Sequence, residues 1–249
     1  MIQAVTFDFW DTLVIDDSDE PARAARGLPT KVETRRQLFV EEVLRHQPGV
    51  SPGRAAQALQ QALTAFGRQW KVEHRTPPVA ERLREALALL GLGPTPGFDA
   101  LVAAWEDMEV LIPPTLAPGV AEMLPALAER AKIGVISDTI VTPGRGLRRI
   151  LADYNLLQHF DVLIFSDERG ASKPSPVVFE LAVAELGVPA ANVAHIGDRE
   201  VNDVDGPRRA GMRGVLYTGC VDRRVPGTPS EADAVLTHHD QLLTLISTL

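Results

Sequence analysis

The stretch VTFDFWDTLV, Val5–Val14, joins a strand-like sequence to two carboxylates. Its first residues are apolar or β-branched, and with the residues before them they predict one β-strand over Ile2–Phe9. Asp8 stands near the end of that strand, and Asp11 and Thr12 follow it closely. A buried strand that ends in acidic and hydroxyl side chains is typical of a site at the edge of a sheet.

The second half of the chain alternates strand patterns with helix patterns. Five further apolar runs predict strands, and most of them are preceded by a segment with helical spacing. Strands that alternate with helices form a parallel, doubly wound sheet that is covered on both faces, which explains why these runs are continuously apolar. The runs are KIGVIS, DVLIFS, NVAHIG, RGVLY and DAVLT.

The segment that follows the first strand has a different pattern. It contains no convincing strand, and its apolar residues recur at helical spacing. The sequence therefore predicts an α/β fold: a doubly wound parallel sheet in residues 1–15 and 115–249, with an all-helical domain inserted in residues 16–114. The predicted helices lie in KVETRRQLFVEEVLRH, SPGRAAQALQQALTAFGRQW, VAERLREALALLG and GFDALVAAWEDMEVL.

Composition and charge exclude several classes of function. The chain has 249 residues and a formal net charge of -8, which argues against binding to nucleic acid or to an anionic membrane surface. No apolar run approaches the roughly 18 residues that span a bilayer. Cys220 is the only cysteine, which excludes a disulfide within one chain and a thiolate zinc site. We expect a cytoplasmic protein.

Polar side chains follow four of the predicted strands. The carboxyl ends of parallel strands meet at one edge of a sheet, where ligand sites form. So many carboxylates at one edge repel each other unless a cation lies among them. Oxygen ligands suit Mg²⁺, which is usually held by carboxylates together with phosphate oxygens. The residues are Asp8, Asp11, Ser137, Asp138, Thr139, Ser166, Asp167, Glu168, Lys173, Asp198, Asn202 and Asp203.

Four motifs in this set make the chain resemble the haloacid dehalogenase-like superfamily, a large group dominated by Mg²⁺-dependent phosphatases. DFWDTL resembles the family's first motif, with Asp8 as the nucleophile, and VISDT resembles the second, with Ser137. SKPSP resembles the third motif, with Lys173. HIGDREVNDVDGPRRAGM resembles the fourth, with Asp198 and Asp203. The resemblance covers essentially the whole chain, and the helical block stands where the family has a helical cap.

The resemblance implies a reaction and a metal site. Asp8 would attack phosphorus in line and form an aspartyl-phosphate, which water then hydrolyses. Mg²⁺ would be held by the Asp8 carboxylate, the backbone carbonyl of Trp10 and Asp198, with Asp203 holding a metal-bound water. The implied enzyme is a Mg²⁺-dependent phosphohydrolase that acts on a small phosphorylated metabolite.

The resemblance also implies roles for the other polar residues. Ser137 would donate a hydrogen bond to a phosphoryl oxygen, and Lys173 would offset the negative charge between nucleophile and phosphate. Asp138 stands beside the phosphate where the family often has asparagine, and it adds negative charge there. The Thr12 hydroxyl would help to fix the turn that carries the nucleophile.

Trp10 departs from the pattern of the family's phosphatases, which usually carry a second aspartate two residues after the nucleophile. Tryptophan can neither protonate the leaving oxygen nor activate water, and losing such a group typically costs about 10²–10⁴ in rate. We therefore expect weak activity on alkyl monoesters and better activity on acyl or aryl phosphates. Two alternatives stay open: a metal-independent 2-haloacid dehalogenase, whose branch also has an aromatic residue there, and a degenerate member that binds a ligand without turnover.

Substrate selection is expected to depend on the helical domain. Trp70, His74 and Arg75 could grip the distal part of a substrate, although a surface cluster at a helix end is the commoner reason for such a set. Arg35 and Arg36 are interpreted as part of a solvated helix face.

Overall fold

The computed structural model describes every residue from Met1 to Leu249, and the chain forms two compact units. The division drawn from the sequence placed residues 139–150 with the sheet, whereas in the structure they belong to the helical unit. Val141 in this segment packs against the apolar core of the helices, which explains the difference. The α/β unit comprises Met1–Asp16, Pro114–Asp138 and Leu151–Leu249, and the helical unit comprises Asp17–Pro113 and Thr139–Ile150.

Six parallel strands form the sheet of the α/β unit. Their order in the sheet is β3-β2-β1-β4-β5-β6, so the chain winds outward in both directions from the central strand. This confirms the predicted α/β fold with a doubly wound parallel sheet. The strands are β1 Ala4–Phe7, β2 Lys132–Ser137, β3 Val162–Phe165, β4 Val193–Gly197, β5 Arg213–Tyr217 and β6 Ala234–Leu236.

The position of β1 in the sheet determines what lies beside Asp8. Every residue of β1 is buried, and Phe7 is in register with Val135 of β2 and Ile196 of β4. The Asp8 amide continues this pairing by donating to the Ile196 carbonyl at 2.8 Å. The carboxyl ends of β1, β2 and β4 therefore form one edge, where parallel sheets of this kind bind ligands.

The helical unit contains two more helices than the sequence predicted. The predicted fourth helix is divided at Asp107, and a short helix precedes the first predicted one. Ser51 caps the helix that begins at Pro52, because its Oγ accepts from the Arg54 amide at 3.3 Å. The helices are α1 Glu20–Ala25, α2 Lys31–His46, α3 Pro52–Lys71, α4 Val79–Ala88, α5 Phe98–Glu106 and α6 Met108–Leu111.

The remaining helices lie between the strands or after them along the chain. The helical segment before β5 is irregular. The segment between β4 and β5 is a π-helical turn at Glu200–Asp205 followed by a single α-helical turn at Gly206–Arg209. None of the helices in the chain is both long enough and apolar enough to cross a membrane. The helices are α7 Val120–Ala128, α8 Gly144–Asp153, α9 Ser166–Arg169, α10 Pro176–Leu186, α11 Gly206–Arg209 and α12 Leu242–Leu245.

Candidate functional site

Three buried carboxylates meet at the carboxyl edge of the sheet. Asp8 follows β1, Asp198 follows β4, and Asp203 lies in the π-helical turn. Each offers an oxygen, and these oxygens all lie within 4.8 Å of one another. Buried like charges at this separation repel strongly, so the cluster requires positive charge close by.

Lys173 supplies part of that charge. Its ammonium lies 2.9 Å from Asp8 Oδ1 and 2.6 Å from Asp203 Oδ1, and only 2% of its side chain is exposed. Burial by itself would lower the pKa of Lys173, but the charges of Asp203 and Asp8 hold it above its usual range. Asp138 Oδ1 accepts from the Lys173 amide at 2.9 Å, which holds the backbone of this loop.

Asp203 is held from several sides. Arg199 donates its backbone N–H to Asp203 Oδ2 at 2.9 Å, and His195 Nε2 lies 3.2 Å from Oδ1. Burial alone would raise the pKa of Asp203, but the Lys173 ammonium and the His195 hydrogen bond hold it below its usual range. A Cβ at Gly197 would lie 2.3 Å from the Asp203 Cγ, so only glycine permits this carboxylate to approach β4.

His195 is a neutral link between the sheet and Asp203. Burial lowers its pKa, so the ring is uncharged near neutral pH. A carboxylate can only accept, so Nε2 carries the proton toward Asp203 and Nδ1 accepts from Thr6 Oγ1 at 2.9 Å. His195 is not among the site residues predicted from the sequence.

Asp8 is in a less favourable environment for its charge. Burial raises the pKa of Asp8 to about 8, even though the Lys173 ammonium acts in the opposite direction. The charges of Asp203 and Asp198 add to the effect of burial. A cation placed among these three carboxylates would favour the ionised form of Asp8.

Arg223 provides the second positive charge at this edge. Its Nη2 lies 2.5 Å from Asp11 Oδ2, and its Nε donates to Asp198 Oδ2. The other Asp11 oxygen accepts from the Asp16 amide at 3.0 Å, in a turn where Asp11 has a positive φ of 52°. Asp11 therefore fixes the turn after β1 and anchors Arg223.

Two predicted site hydroxyls lie buried at the same edge. Ser137 Oγ and Thr12 Oγ1 have no hydrogen-bond partner within the protein, which is uncommon for buried hydroxyls. Such groups are suited to hydrogen-bond a bound molecule.

The Trp10 side chain is half-buried and packs edge-on against Phe9, with ring centroids 5.0 Å apart. It brings no titratable group to the site.

A family model described as haloacid dehalogenase-like hydrolase matches residues 2–211. The chain belongs to this family. The match confirms the resemblance drawn from the four motifs and shows that the protein is a haloacid dehalogenase-like hydrolase.

Curated relatives of this hydrolase include phosphatases. Haloacid dehalogenase-like hydrolase domain-containing protein 3 of Danio rerio is 39% identical over 85 residues, which are 34% of each chain. The chain therefore spans about a third of the length of that curated relative. Glyceraldehyde 3-phosphate phosphatase of Pyrococcus abyssi is 27% identical over 218 residues, which are 87% of this chain and 82% of that protein.

Solved structures show the same fold in enzymes of both chemistries. A 2-haloacid dehalogenase from Pseudomonas syringae has a TM-score of 0.66 at 21% identity, over 100% of this chain and 99% of that one. A HAD phosphatase from Thermococcus onnurineus has a TM-score of 0.63 at 20% identity, over 98% of both chains. The fold of this hydrolase is therefore compatible with either reaction.

Sequence reasoning missed Arg223 and misread Arg35. Arg223 belongs to a polar loop after β5, whose composition carries no periodic signal of contact with the site. Arg35 was interpreted as solvated, but its side chain is 12% exposed and donates to both oxygens of Glu109, at 2.9 and 3.1 Å. The role considered for Trp70, His74 and Arg75 stays a prediction.

Proposed function

We propose that this hydrolase is a Mg²⁺-dependent phosphohydrolase that acts on a small phosphorylated metabolite through an aspartyl-phosphate at Asp8. The observation that carries the proposal is the buried cluster of Asp8, Asp198 and Asp203, with oxygens within 4.8 Å of one another and Lys173 between two of them. The match to glyceraldehyde 3-phosphate phosphatase over most of the chain supports the same reaction class.

The carboxylate cluster fits a magnesium ion. Asp8, Asp198 and the backbone carbonyl of Trp10 would hold the ion, with Asp203 acting through a bound water. When bound, Mg²⁺ supplies positive charge that polarises the phosphoryl group. A putative HAD-hydrolase from Bacillus subtilis, YfnB, whose structure was solved bound to magnesium, has a TM-score of 0.59 at 16% identity over 98% of both chains.

The Asp8 carboxylate is positioned for attack on phosphorus. Its Oδ1 accepts from the Phe9 amide at 2.7 Å and lies 2.9 Å from the Lys173 ammonium. These contacts leave Oδ2 to form the new bond to phosphorus while the bond to the leaving oxygen breaks. Water then hydrolyses the aspartyl-phosphate and restores the carboxylate.

The other site residues stabilise the phosphoryl group. The Ser137 and Thr12 hydroxyls, unpaired within the protein, have free hydrogen-bonding capacity for phosphoryl oxygens. Lys173 offsets the charge that accumulates between the nucleophile and the phosphate. Asp138 fixes the Lys173 backbone, which places this cation.

Trp10 limits the choice of substrate. No acid stands two residues after the nucleophile, so the leaving oxygen departs without a proton from that position. Acyl and aryl phosphates, whose leaving groups need little protonation, should react faster than alkyl esters. We further propose that the α/β unit acts as the catalytic core and that the helical unit, Asp17–Pro113 with Thr139–Ile150, acts as a cap that selects the substrate.

The test is phosphate release from acetyl phosphate and p-nitrophenyl phosphate, with Mg²⁺ and with EDTA. We expect turnover only with Mg²⁺, and a loss of at least about 10³-fold in Asp8→Asn because the nucleophile is removed. Glu129→Gln, an exposed acid at the end of α7, is the matched control and should keep the wild-type rate. Turnover that survives in Asp8→Asn would refute the proposed nucleophile.

A second candidate is carbon–halogen displacement by Asp8, and Trp10 is the observation that favours it. A halide leaves without a proton, so this reaction has no need of an acid at that position. Chloride release from 2-chloropropionate in the presence of EDTA, with no phosphate release from either phosphate ester, would select this reaction over the first.

A further inference from the structure

The helical unit contains a cavity of about 500 Å³ whose charged lining residues are all arginines. It lies between α2, α3, α4 and α5, and every lining residue belongs to this unit. Arg35, Arg36 and Arg82 line it, together with Trp105, and no acidic residue does. A cavity of this size is in the range that holds small molecules.

Three residues that line the cavity each have a buried N–H group without a hydrogen-bond partner. These groups are the Nε groups of Arg35 and Arg82 and the indole Nε1 of Trp105. Arg82 and Trp105 are each only 2% exposed. Buried donors are nearly always paired, so three in one cavity indicate a missing acceptor.

Arg82 is a buried cation whose charge is only partly balanced. Its guanidinium donates to the Ile140 carbonyl at 2.5 Å and lies 4.0 Å from the centroid of the Phe66 ring, but it forms no ion pair. Burial lowers the pKa of Arg82 to about 10, and the neighbouring charge of Arg35 acts in the same direction, whereas the charge of Glu106 acts against them. An uncompensated buried charge is strongly unfavourable unless a ligand compensates it.

The other two arginines leave the charge unbalanced. Arg35 shares Glu109 with Lys31, whose ammonium lies 3.4 Å from the same carboxylate. Arg36 is exposed at the cavity and forms no ion pair. The remaining walls are largely apolar, with Leu59, Leu63 and Val141 among them.

We propose that this cavity binds a small organic oxyanion, a carboxylate or phosphate head group on an apolar body. Arg82 and Trp105 would hold the head group, because guanidinium and indole N–H groups donate in directions that oxyanion oxygens accept. The apolar walls would contact the body. The proposal goes beyond the phosphohydrolase reaction, and it stands whether or not Asp8 performs that reaction.

The experiment uses the full chain carrying Asp8→Asn, labelled with ¹⁵N, so that the outcome is independent of turnover. The three tryptophan indole signals are assigned with Trp70→Phe and Trp105→Phe. Hexanoate and hexylphosphonate are titrated as probes of the two head groups, with hexanamide as the uncharged analogue. We expect the Trp105 signal to shift saturably with one or both anions, while the Trp70 signal stays in place.

Arginine variants locate the binding site. Arg82→Gln should weaken the affinity at least about tenfold, because it removes the buried charge. Arg84→Gln, an exposed arginine on the same helix, is the matched control and should change the affinity less than about twofold. Arg36→Gln is an exposed substitution that cannot disrupt the core, and it should weaken binding about two- to fivefold.

Several results would overturn the proposal. One is a Trp105 signal that stays in place up to about 10 mM of either anion, which corresponds to an affinity too weak for a built site. Another is a shift of the same size and affinity with hexanamide. That result would show that binding depends on the apolar body and not on the charge of the head group. A third is unchanged affinity in both Arg82→Gln and Arg36→Gln. The relative affinity of hexanoate and hexylphosphonate identifies the preferred head group.

Discussion

The two units of the chain carry opposite imbalances of buried charge. At the edge of the sheet, Lys173 is shared by Asp8 and Asp203, and Arg223 is shared by Asp11 and Asp198. Of the three arginines that line the cavity of the helical unit, only Arg35 forms an ion pair, with Glu109. Each place lacks the charge that its proposed ligand would bring: a cation among carboxylates, and an oxyanion among arginines.

An unpaired charge indicates a ligand site only where the charge is buried. A surface charge without a partner is solvated and tells little. A buried one costs free energy that the fold must supply, so its presence indicates a role. Arg82 is buried without an ion pair, and the buried carboxylate cluster has more carboxylates than cations, whereas Arg84 is exposed.

Replacing Lys173, the buried cation beside Asp8 and Asp203, should have the largest effect on the stability of the protein. Lys173→Met leaves Asp8 and Asp203 buried without their shared partner, and we expect the free energy of unfolding to fall by about 3–5 kcal/mol. Urea unfolding followed by circular dichroism measures this. Lys71→Met, at an exposed lysine, is the control and should stay within about 0.5 kcal/mol of the wild type. A similar small change in Lys173→Met would show that the carboxylates do not depend on it.

The buried ring of His239 should make the stability of the protein depend on pH. Burial lowers the pKa of His239 from 6.5 to about 4, and its Nε2 donates to the Thr12 carbonyl at 2.8 Å. The His239 ring takes up a proton at a higher pH in the unfolded chain than in the folded one. The free energy of unfolding therefore has its full value above pH 6.5. It should fall by about 3 kcal/mol as the pH decreases to 4.

His239→Gln tests this pH dependence, because glutamine does not titrate. Urea unfolding at several pH values between 7 and 4 should give a shallower loss of stability in the variant than in the wild type. The pKa of His195 is also lowered by burial, and its contribution is common to both proteins. Equal slopes in the two proteins would contradict the assigned role of His239.

Arg223 should affect how tightly the sheet-edge site binds a metal ion. The Arg223 guanidinium contacts Asp198, so it should compete with a metal ion for this carboxylate. We expect Arg223→Gln to bind Mg²⁺ about three- to tenfold more tightly, an effect limited by the partial exposure of the side chain. Isothermal titration calorimetry measures the affinity without reference to catalysis.

The neighbouring arginine provides the control for this measurement. Arg224 is exposed and pairs with Asp222, so Arg224→Gln should leave Mg²⁺ affinity unchanged. Weaker Mg²⁺ binding in Arg223→Gln would mean that the guanidinium organises the metal ligands and does not compete with the ion.

The smallest expected effect is that of Arg82 on the free energy of unfolding of the protein without a ligand. Arg82→Met removes an uncompensated charge together with one hydrogen bond, so we expect the free energy of unfolding to stay within about 1 kcal/mol of the wild type. Arg35→Met, which breaks the pair with Glu109, should cost about 2 kcal/mol. Urea unfolding compares the two variants, and a larger loss in Arg82→Met would remove the contrast between the arginines.

Much of the fold could be predicted because parallel strands are buried on both faces. Their continuously apolar runs stand out in the sequence, and strand ends at one edge identify Asp8, Asp198 and Lys173 as neighbours in advance of the structure. The spacing of motifs along the chain carries the same information. The division of the helix at Asp107 and the π-helical turn depend on packing, which periodicity does not reveal.

The arginines could be predicted only in part. Arg82 falls on the face of α4 that also carries Val79, Leu83 and Ala86, so a charged residue within an apolar helical stripe was a readable signal. Arg223 gave no such signal, because its contact with Asp198 depends on the path of an irregular loop. Long-range ion pairs of this kind depend on geometry that a single sequence does not encode locally.

The central place of β1 has a consequence for biosynthesis. Its first residue, Ala4, pairs with Val193, so one neighbour of the strand is made about 190 residues later. At typical translation rates this delay lasts roughly 10–40 s, during which residues 17–113 have already left the ribosome and can begin to pack. Asp8 is synthesised long before its carboxylate partners, which are completed only with Asp203. The site is therefore one of the last features of the nascent protein to assemble.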